Sequence, residues 1–292
     1  MSAFVPSHAA YDSPSPVNAM SVDVEEHFQV SAFEGAVARG DWSRHESRVA
    51  RNVDAVLELF ERAGVHATFF VLGWIAERYP AVVRGIAAAG HEIASHGYSH
   101  VRVTQQNEAE FRDDVARTRR ILEDCCGQRI RGYRAASYSI NGSNLWALRV
   151  LAEEGHQYSS SIYPIRHDLY GMPEAPRFAF RLDGATILEL PVSTVQLAGQ
   201  RLPCGGGGYF RLLPYGFSRW AIGRVNAVDR QPTLFYFHPW EIDARQPRVG
   251  SLSLRSRLRH YTGLARMRRK LERLVRDFRW DRIDRVFPSD AQ

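Results

Sequence analysis

Short apolar runs alternate with amphipathic stretches over the first two thirds of this chain, and that alternation narrows the fold more than any other feature. Asn18–Val24 reads as a strand, while Val53, Val56, Leu57 and Phe60 recur at helical spacing within Val49–Ala63. Gly64 supplies a helix stop. Ala67–Leu72 then reads as a buried strand, Trp74–Ala89 as a helix ended by Gly90, and Glu92–Ser95 as a short strand. A helix over Glu108–Cys125, a strand over Ile130–Arg134, a helix over Asn144–Glu154 and a strand over Tyr158–Ile162 continue the pattern. Thr186–Leu190 and Thr233–Phe237 are the last strand candidates. Repeated βα units specify an α/β fold with a parallel sheet, open or closed into a barrel. In a barrel of this kind the chemistry gathers in the loops that follow the strands.

Between Tyr163 and Tyr215 the regularity fails. Pro164, Pro173, Pro176, Pro191, Pro203 and Pro214 fall here with the run Gly205–Gly208, so long loops and short strands over one face of the sheet are expected. The four glycines lack phosphate-loop spacing and read as a flexible turn. From Ser251 to Asp284 the chain is strongly basic, with Leu264, Met267, Leu271, Leu274 and Phe278 forming an apolar stripe. A terminal helix docking that stripe on the sheet is the first reading, and peripheral contact with an anionic membrane surface is the second. No nucleic-acid reading motif accompanies the charge, so nucleic acid is not expected as a partner.

With 292 residues, 45% hydrophobic and 24% charged, the chain suits one large α/β domain with appendages or two modest domains. Its net charge of +6 is carried by arginine, Lys270 being the only lysine. Three cysteines, Cys125 and Cys126 adjacent, make neither a disulfide framework nor a zinc ribbon. Residues 1–16, rich in Ser, Pro and Ala, read as a disordered leader without signal-peptide character. No apolar run reaches the length of a membrane span. A cytoplasmic location is expected, at the inner face of the membrane if the basic tail meets lipid.

The chemistry concentrates in four short segments. Asp23-Val24-Glu25-Glu26-His27 ends the first strand, and side chains two apart on a strand share a face. Asp23 and Glu25 are therefore expected in one mouth, one binding metal and the other acting on water. Ser95-His96-Gly97-Tyr98-Ser99-His100 follows another strand, with His96 and His100 spaced as on one face of a helical turn and Gly97 allowing a tight bend. Two histidines and a carboxylate with an open position make a hydrolytic metal site. Arg134 ends a third strand and needs a buried carboxylate partner, for which Asp23 is well placed. His238 ends the apolar run Leu234–Phe237 and suits a general acid. Tyr98, Tyr138, Tyr209 and Trp240 are candidates for stacking on sugar rings, with core packing as the alternative.

In this order Ser21-Val22-Asp23-Val24-Glu25, Thr68-Phe69-Phe70-Val71-Leu72-Gly73, Ser95–His100, Tyr133-Arg134-Ala135-Ala136 and Phe237-His238-Pro239 resemble the polysaccharide deacetylases, the NodB-homology carbohydrate esterases of family 4. Asp23–Phe28, Gly207-Gly208-Tyr209-Phe210-Arg211 and the tail from His260-Tyr261-Thr262-Gly263 resemble the subgroup encoded with exopolysaccharide and PEP-CTERM/exosortase loci. The resemblance covers residues 17–245, a deacetylase domain containing the loop-rich region 163–215, and leaves 246–292 as a basic helical extension. It implies a distorted (β/α)7 barrel that removes acetyl groups from N-acetylated amino sugars of an exopolysaccharide or its precursor. His96 and His100 would bind a divalent metal, zinc first and cobalt or nickel as alternatives. Asp23 would be the base, Arg134 its orienting partner and His238 the acid, with a backbone N–H near Ser137 holding the oxyanion. Val24 stands where many members carry a second, metal-binding aspartate, and Glu25 is the implied substitute; Ala136 replaces a usual proline. Three rival readings are a catalytically inactive carbohydrate-binding barrel, an amidohydrolase for a non-sugar acylated amine, and a structural or scaffolding protein using the arginine-rich helix.

Overall fold

The protein is described by a computed structural model covering residues 4–6, 16–168, 170–184, 186–250 and 252–288. Seven parallel strands form its centre, in the spatial order Leu234–Phe237, Asn18–Val24, Thr68–Val71, Glu92–Ser95, Gly132–Tyr133, Tyr158–Ser159 and Leu188–Glu189. Strand pairing among the described residues does not run round a closed ring. The segment after Glu189 joins the two edges instead: Val192 N donates to Ile162 O (3.3 Å), Leu234 N to Ser193 Oγ (2.7 Å) and Tyr236 N to Gly205 O (2.8 Å). The result is the α/β fold with a parallel sheet that βα alternation requires, its last gap spanned by isolated bonds.

Each helix is set by its own sequence. Val49–Ala63 buries Val49, Val53, Val56 and Phe60, and Gly64 ends it at φ 63°. Its start is held by Glu26, whose carboxylate accepts from Arg48 N (2.9 Å), Val49 N (3.1 Å) and Ser47 Oγ (2.5 Å). Glu26 is thus the anionic cap of a helix N-terminus. Glu26→Ala strands those buried donors and is expected to lower unfolding stability by about 1–2 kcal/mol, read as a fall in urea midpoint at constant slope. Asn107 and Glu110 form a reciprocal capping box that starts Glu108–Cys126, and Gly127 ends that helix at φ 66°. The single helix expected over Trp74–Ala89 is two, Gly73–Arg78 and Pro80–Ala88, because Pro80 starts a new helix rather than continuing the old one.

Several expectations need correction. Residues 1–3 and 7–15 of the expected leader lie outside the described residues, but Phe4–Pro6 is a strand pairing antiparallel with Phe180–Leu182, Phe4 packing edge-on to Phe180. Apolar Phe4 and Val5 thus override the Ser/Pro composition around them. The glycine run is not a flexible turn. A Cβ on Gly205 would meet Leu234 O at 2.3 Å, and one on Gly207 would meet Glu241 Oε2 at 2.0 Å. Close approach to the strand Leu234–Phe237 and to Glu241 just beyond it is what Gly205 and Gly207 provide. Around them lie the hairpin Thr194–Leu197/Gln200–Pro203 and the helix Gly207–Leu212.

The basic extension is two helices, Leu254–Tyr261 and Leu264–Asp277, separated at Gly263 (φ 82°). Leu264, Met267, Leu271 and Leu274 are buried, so the apolar stripe docks on the sheet's helical layer. Trp280–Asp281 then pairs with Asn18–Ala19, and Ile283 N donates to Thr68 Oγ1 (2.8 Å) beneath the sheet. The chain's last segment therefore runs from the mouth of the fold to its floor. No helix among the described residues is long and apolar enough to cross a membrane.

Candidate active site

The carboxyl ends of the parallel strands open into a cavity of about 380 Å³ lined by Asp23, Glu25, His96, His100, Tyr138 and His238, among others. Asp23 and Glu25, two apart at the end of one strand, both reach it. Arg134 enters from beneath, wholly buried, with Nη1 donating to Asp23 Oδ1 (2.5 Å) and Ser21 Oγ (3.0 Å). Its remaining donors meet Ser160 O (3.2 Å) and Ser160 Oγ (3.0 Å), and the guanidinium lies 4.0 Å over the Phe70 ring. Each guanidinium nitrogen is thus hydrogen-bonded and the charge is paired, as burial requires.

Glu25, His96 and His100 bring one ligand atom each within 4.8 Å of one another, all three residues being buried. His96 Nδ1 faces Arg134 O at 2.8 Å, which assigns the proton to Nδ1 and leaves Nε2 as a lone-pair donor. His100 Nε2 lies 3.1 Å from Glu25 Oε2, an oxygen with no hydrogen-bond donor. Burial lowers the basicity of His96, and burial with His96 and His238 nearby holds His100 well below its usual range. Neutral imidazoles and an unsatisfied buried carboxylate fit a divalent cation. The expected helical turn is absent: residues 96–100 form an irregular bend with Gly97 at φ 71° and His100 at φ 53°. A non-glycine residue in that conformation is held against its preference by its surroundings.

His238 completes the centre. Its Nε2 stands 3.3 Å from Glu25 Oε1 and 4.0 Å from Asp23 Oδ2, and its Nδ1 lies 3.6 Å from Glu241 Oε2. Burial opposes charging the ring, but Glu25, Glu241 and Asp23 outweigh it and raise His238 to about 9. Burial also pushes Glu25 up to about 7. Although burial acts the same way on Glu241, Arg211 and His238 pull that carboxyl down to about 2.

Three neighbours of His238 escape a reading of the sequence. Glu241 lies three residues after His238 and bonds its backbone N–H (3.1 Å). Arg211 Nε donates to Glu241 Oε1 (2.9 Å), while Arg211 Nη1 donates to His260 O (2.8 Å) and Thr262 O (2.6 Å). His260 stacks on Trp240 at 4.3 Å, and Trp240 stacks on His238 at 5.0 Å. For Glu241 the capping-box spacing of His238-Pro239-Trp240-Glu241 was a usable signal; Arg211 and His260 each stood in a subgroup motif without a role.

The aromatic candidates divide. Tyr138 and Trp240 line the cavity, as does Ser137, which with Tyr138 forms two consecutive positive-φ residues (53° and 51°) at the cavity wall. The Ser137 hydroxyl touches that of Ser31 across the mouth. Tyr209 packs on the buried Tyr138–Tyr163 cluster beside the cavity. Tyr98 is a correction: its hydroxyl donates to Glu77 (2.6 Å) and Arg117 covers its ring at 3.5 Å, both on outer helices. The Gly97 bend, with Tyr98 N donating to Asp114 (3.1 Å), turns that ring away from the cavity.

Residues 44–157 match the family described as polysaccharide deacetylase, and residues 160–288 match a domain of unknown function, DUF3473. A peptidoglycan-N-acetylglucosamine deacetylase of Bacillus cereus is 40% identical over 72 residues, covering 25% of this chain and 26% of that protein. A chitooligosaccharide deacetylase of a Bradyrhizobium species is 33% identical over 97 residues, covering 33% and 42%. The matched stretch thus spans less than half of either relative. A crystal structure described as a polysaccharide deacetylase from Mycobacterium smegmatis shares the fold, with a TM-score of 0.62, 21% identity, and coverage of 94% of this chain and 89% of that one. Residues 44–157 are thus similar to the polysaccharide deacetylases and residues 160–288 to the DUF3473 family, on a fold shared with the Mycobacterium smegmatis structure.

Proposed function

We propose that this protein is a metal-dependent N-deacetylase of N-acetylated amino sugars in an exopolysaccharide or its precursor. One observation carries the reading: the Asp23–Arg134 pair, the Glu25/His96/His100 donor set and His238 face one another across a single cavity. Glu25, His96 and His100 would hold the ion, zinc first, with cobalt and nickel accepted by the same donors. A divalent ion there supplies Lewis-acid polarisation of water and of the amide carbonyl. Asp23, oriented by Arg134, takes a proton from the water that attacks the acetamide carbon. A backbone N–H at Ser137, on the cavity wall, would hold the developing oxyanion, Tyr138 N being bonded to Ala135 O. His238 gives its proton to the sugar nitrogen as the C–N bond breaks, so acetate and a free amine leave. Tyr138 and Trp240 offer apolar walls for the sugar ring. A cytoplasmic location, with the arginines of the extension against an anionic membrane, belongs to the same proposal.

Acetate release from N-acetylglucosamine oligomers, with chelator and after adding zinc back, is the test. Loss on chelation and recovery with zinc is expected. Activity indifferent to chelator overturns the metal role. Oligosaccharide binding without turnover favours an inactive barrel, and turnover confined to a non-sugar acylated amine changes the substrate class.

A further inference from the structure

The helix Leu254–Tyr261 does not belong to the parallel-strand framework, yet it forms one side of the cavity mouth. It is fixed there by His260, which stacks on Trp240 and shares a 2.7 Å hydrogen bond with Gln246 Oε1. The position of its outer face relative to the reacting centre is therefore determined. That face presents Arg255 and Arg259, both lining the cavity. Across the mouth stands Asp168, next to His167, whose ring stacks on Tyr170 at 3.9 Å.

The charges at this rim do not balance. Arg255 Nη2 reaches Asp168 Oδ2 (2.7 Å) and Arg259 Nη2 reaches Asp168 Oδ1 (3.3 Å), so two guanidinium groups share one carboxylate. Each guanidinium carries five N–H donors, and these bonds use one from each. The side chains of Arg255 and Arg259 are 72% and 39% exposed, so their other donors face solvent at the cavity mouth. The third cavity arginine, Arg211, is by contrast spent on Glu241 and the carbonyls of Arg259, His260 and Thr262. A neutral oligosaccharide offers hydroxyl and carbonyl acceptors to such a rim but does not offset its excess positive charge. An oxyanion on a neighbouring sugar does, because guanidinium groups bind carboxylate and phosphate in matched geometry.

We infer that the rim selects an anionic saccharide, Arg255 and Arg259 binding a carboxylate or phosphate substituent carried next to the N-acetylated sugar. This rests on the deacetylase reading and adds the substrate class to it. Asp168 then acts as an internal placeholder, occupying the arginines until the substituent arrives.

The test compares tetra-N-acetylchitotetraose with its 6-O-carboxymethyl and 6-phosphate derivatives on the zinc-loaded full chain, measuring both acetate release and binding by tryptophan fluorescence. Wild-type protein should favour a charged oligomer by about fivefold or more in kcat/KM, an advantage that shrinks as salt rises. Arg255→Ala/Arg259→Ala should bring the charged-to-neutral ratio to about one. Asp168→Asn should raise that ratio by freeing both arginines, a change opposite in sign to anything misfolding produces. A gain with the carboxymethyl oligomer alone assigns a uronate-type substituent, and a gain with the phosphate alone assigns a phosphorylated one. A wild-type ratio near one, a ratio unmoved in the arginine variant, or a ratio lowered by Asp168→Asn overturns the inference. Turnover of the neutral oligomer without charge preference would remove the rim's role and leave the deacetylase. Charge-selective binding without acetate release would do the reverse.

Discussion

Asp23→Asn is expected to lower kcat/KM for acetate release by about 10³-fold, the scale on which positioned acid–base groups act. The substitution keeps the side chain's shape and an oxygen for Arg134 Nη1, but removes the group that accepts the proton from water. Arg134 stays buried with its bonds to Ser21 and Ser160, so the local structure survives at a cost of about 1–3 kcal/mol for the lost charge partner. Circular dichroism and the thermal midpoint separate that cost from catalysis, and kinetics are taken well below the midpoint. Zinc content should be unchanged, because Asp23 is outside the Glu25/His96/His100 set. Arg134→Gln should fall less in kcat/KM than Asp23→Asn, since it orients the base without replacing it. An Asp23→Asn enzyme within tenfold of wild type would remove Asp23 from the chemistry.

Much of this centre was legible because strands obey a short period. Asp23 and Glu25 had to share a face at the end of Asn18–Val24, and Arg134 ending a buried strand had to find a carboxylate. The helix Val49–Ala63 with its Gly64 stop was equally readable, and the helix expected over Glu108–Cys125 is there, one residue longer. What escaped was made by contacts between segments that no periodicity links. Arg211, Glu241 and His260 come from a short helix, a single turn after a strand and the extension, and meet only in three dimensions. Gly205–Gly208 looked flexible because composition cannot distinguish a glycine that needs freedom from one that needs closeness. Tyr98 was placed in the cavity by proximity to His96 and His100, while the positive φ of Gly97 reverses the chain between them. The Leu264–Leu274 stripe packs on the helical layer, as the first reading of the extension has it, and leaves the arginines as the part that could meet an anionic surface.

Glu241→Ala should cost about 3–5 kcal/mol of unfolding stability, because it leaves Arg211 buried without a carboxylate. It should also lower kcat/KM by about 10²-fold, since Glu241 accepts from His238 N and faces His238 Nδ1. The two effects have different causes and can be separated. In Glu241→Met/Arg211→Met the buried charges leave together, and apolar side chains of similar length fill the space next to Trp240 and Phe210. Stability should then recover by about 2 kcal/mol, short of full recovery because the carbonyls of His260 and Thr262 lose the donor that Arg211 gave them. Activity should not recover, because neither methionine can hold the His238 ring. A double-mutant cycle on both quantities reads the coupling directly. If kcat/KM returns with stability, Glu241 is a structural support for the extension and His238 needs no partner on that side. If stability returns and kcat/KM does not, the pair positions His238, and the joining of the C-terminal segment to the sheet through Arg211 is part of how this site works.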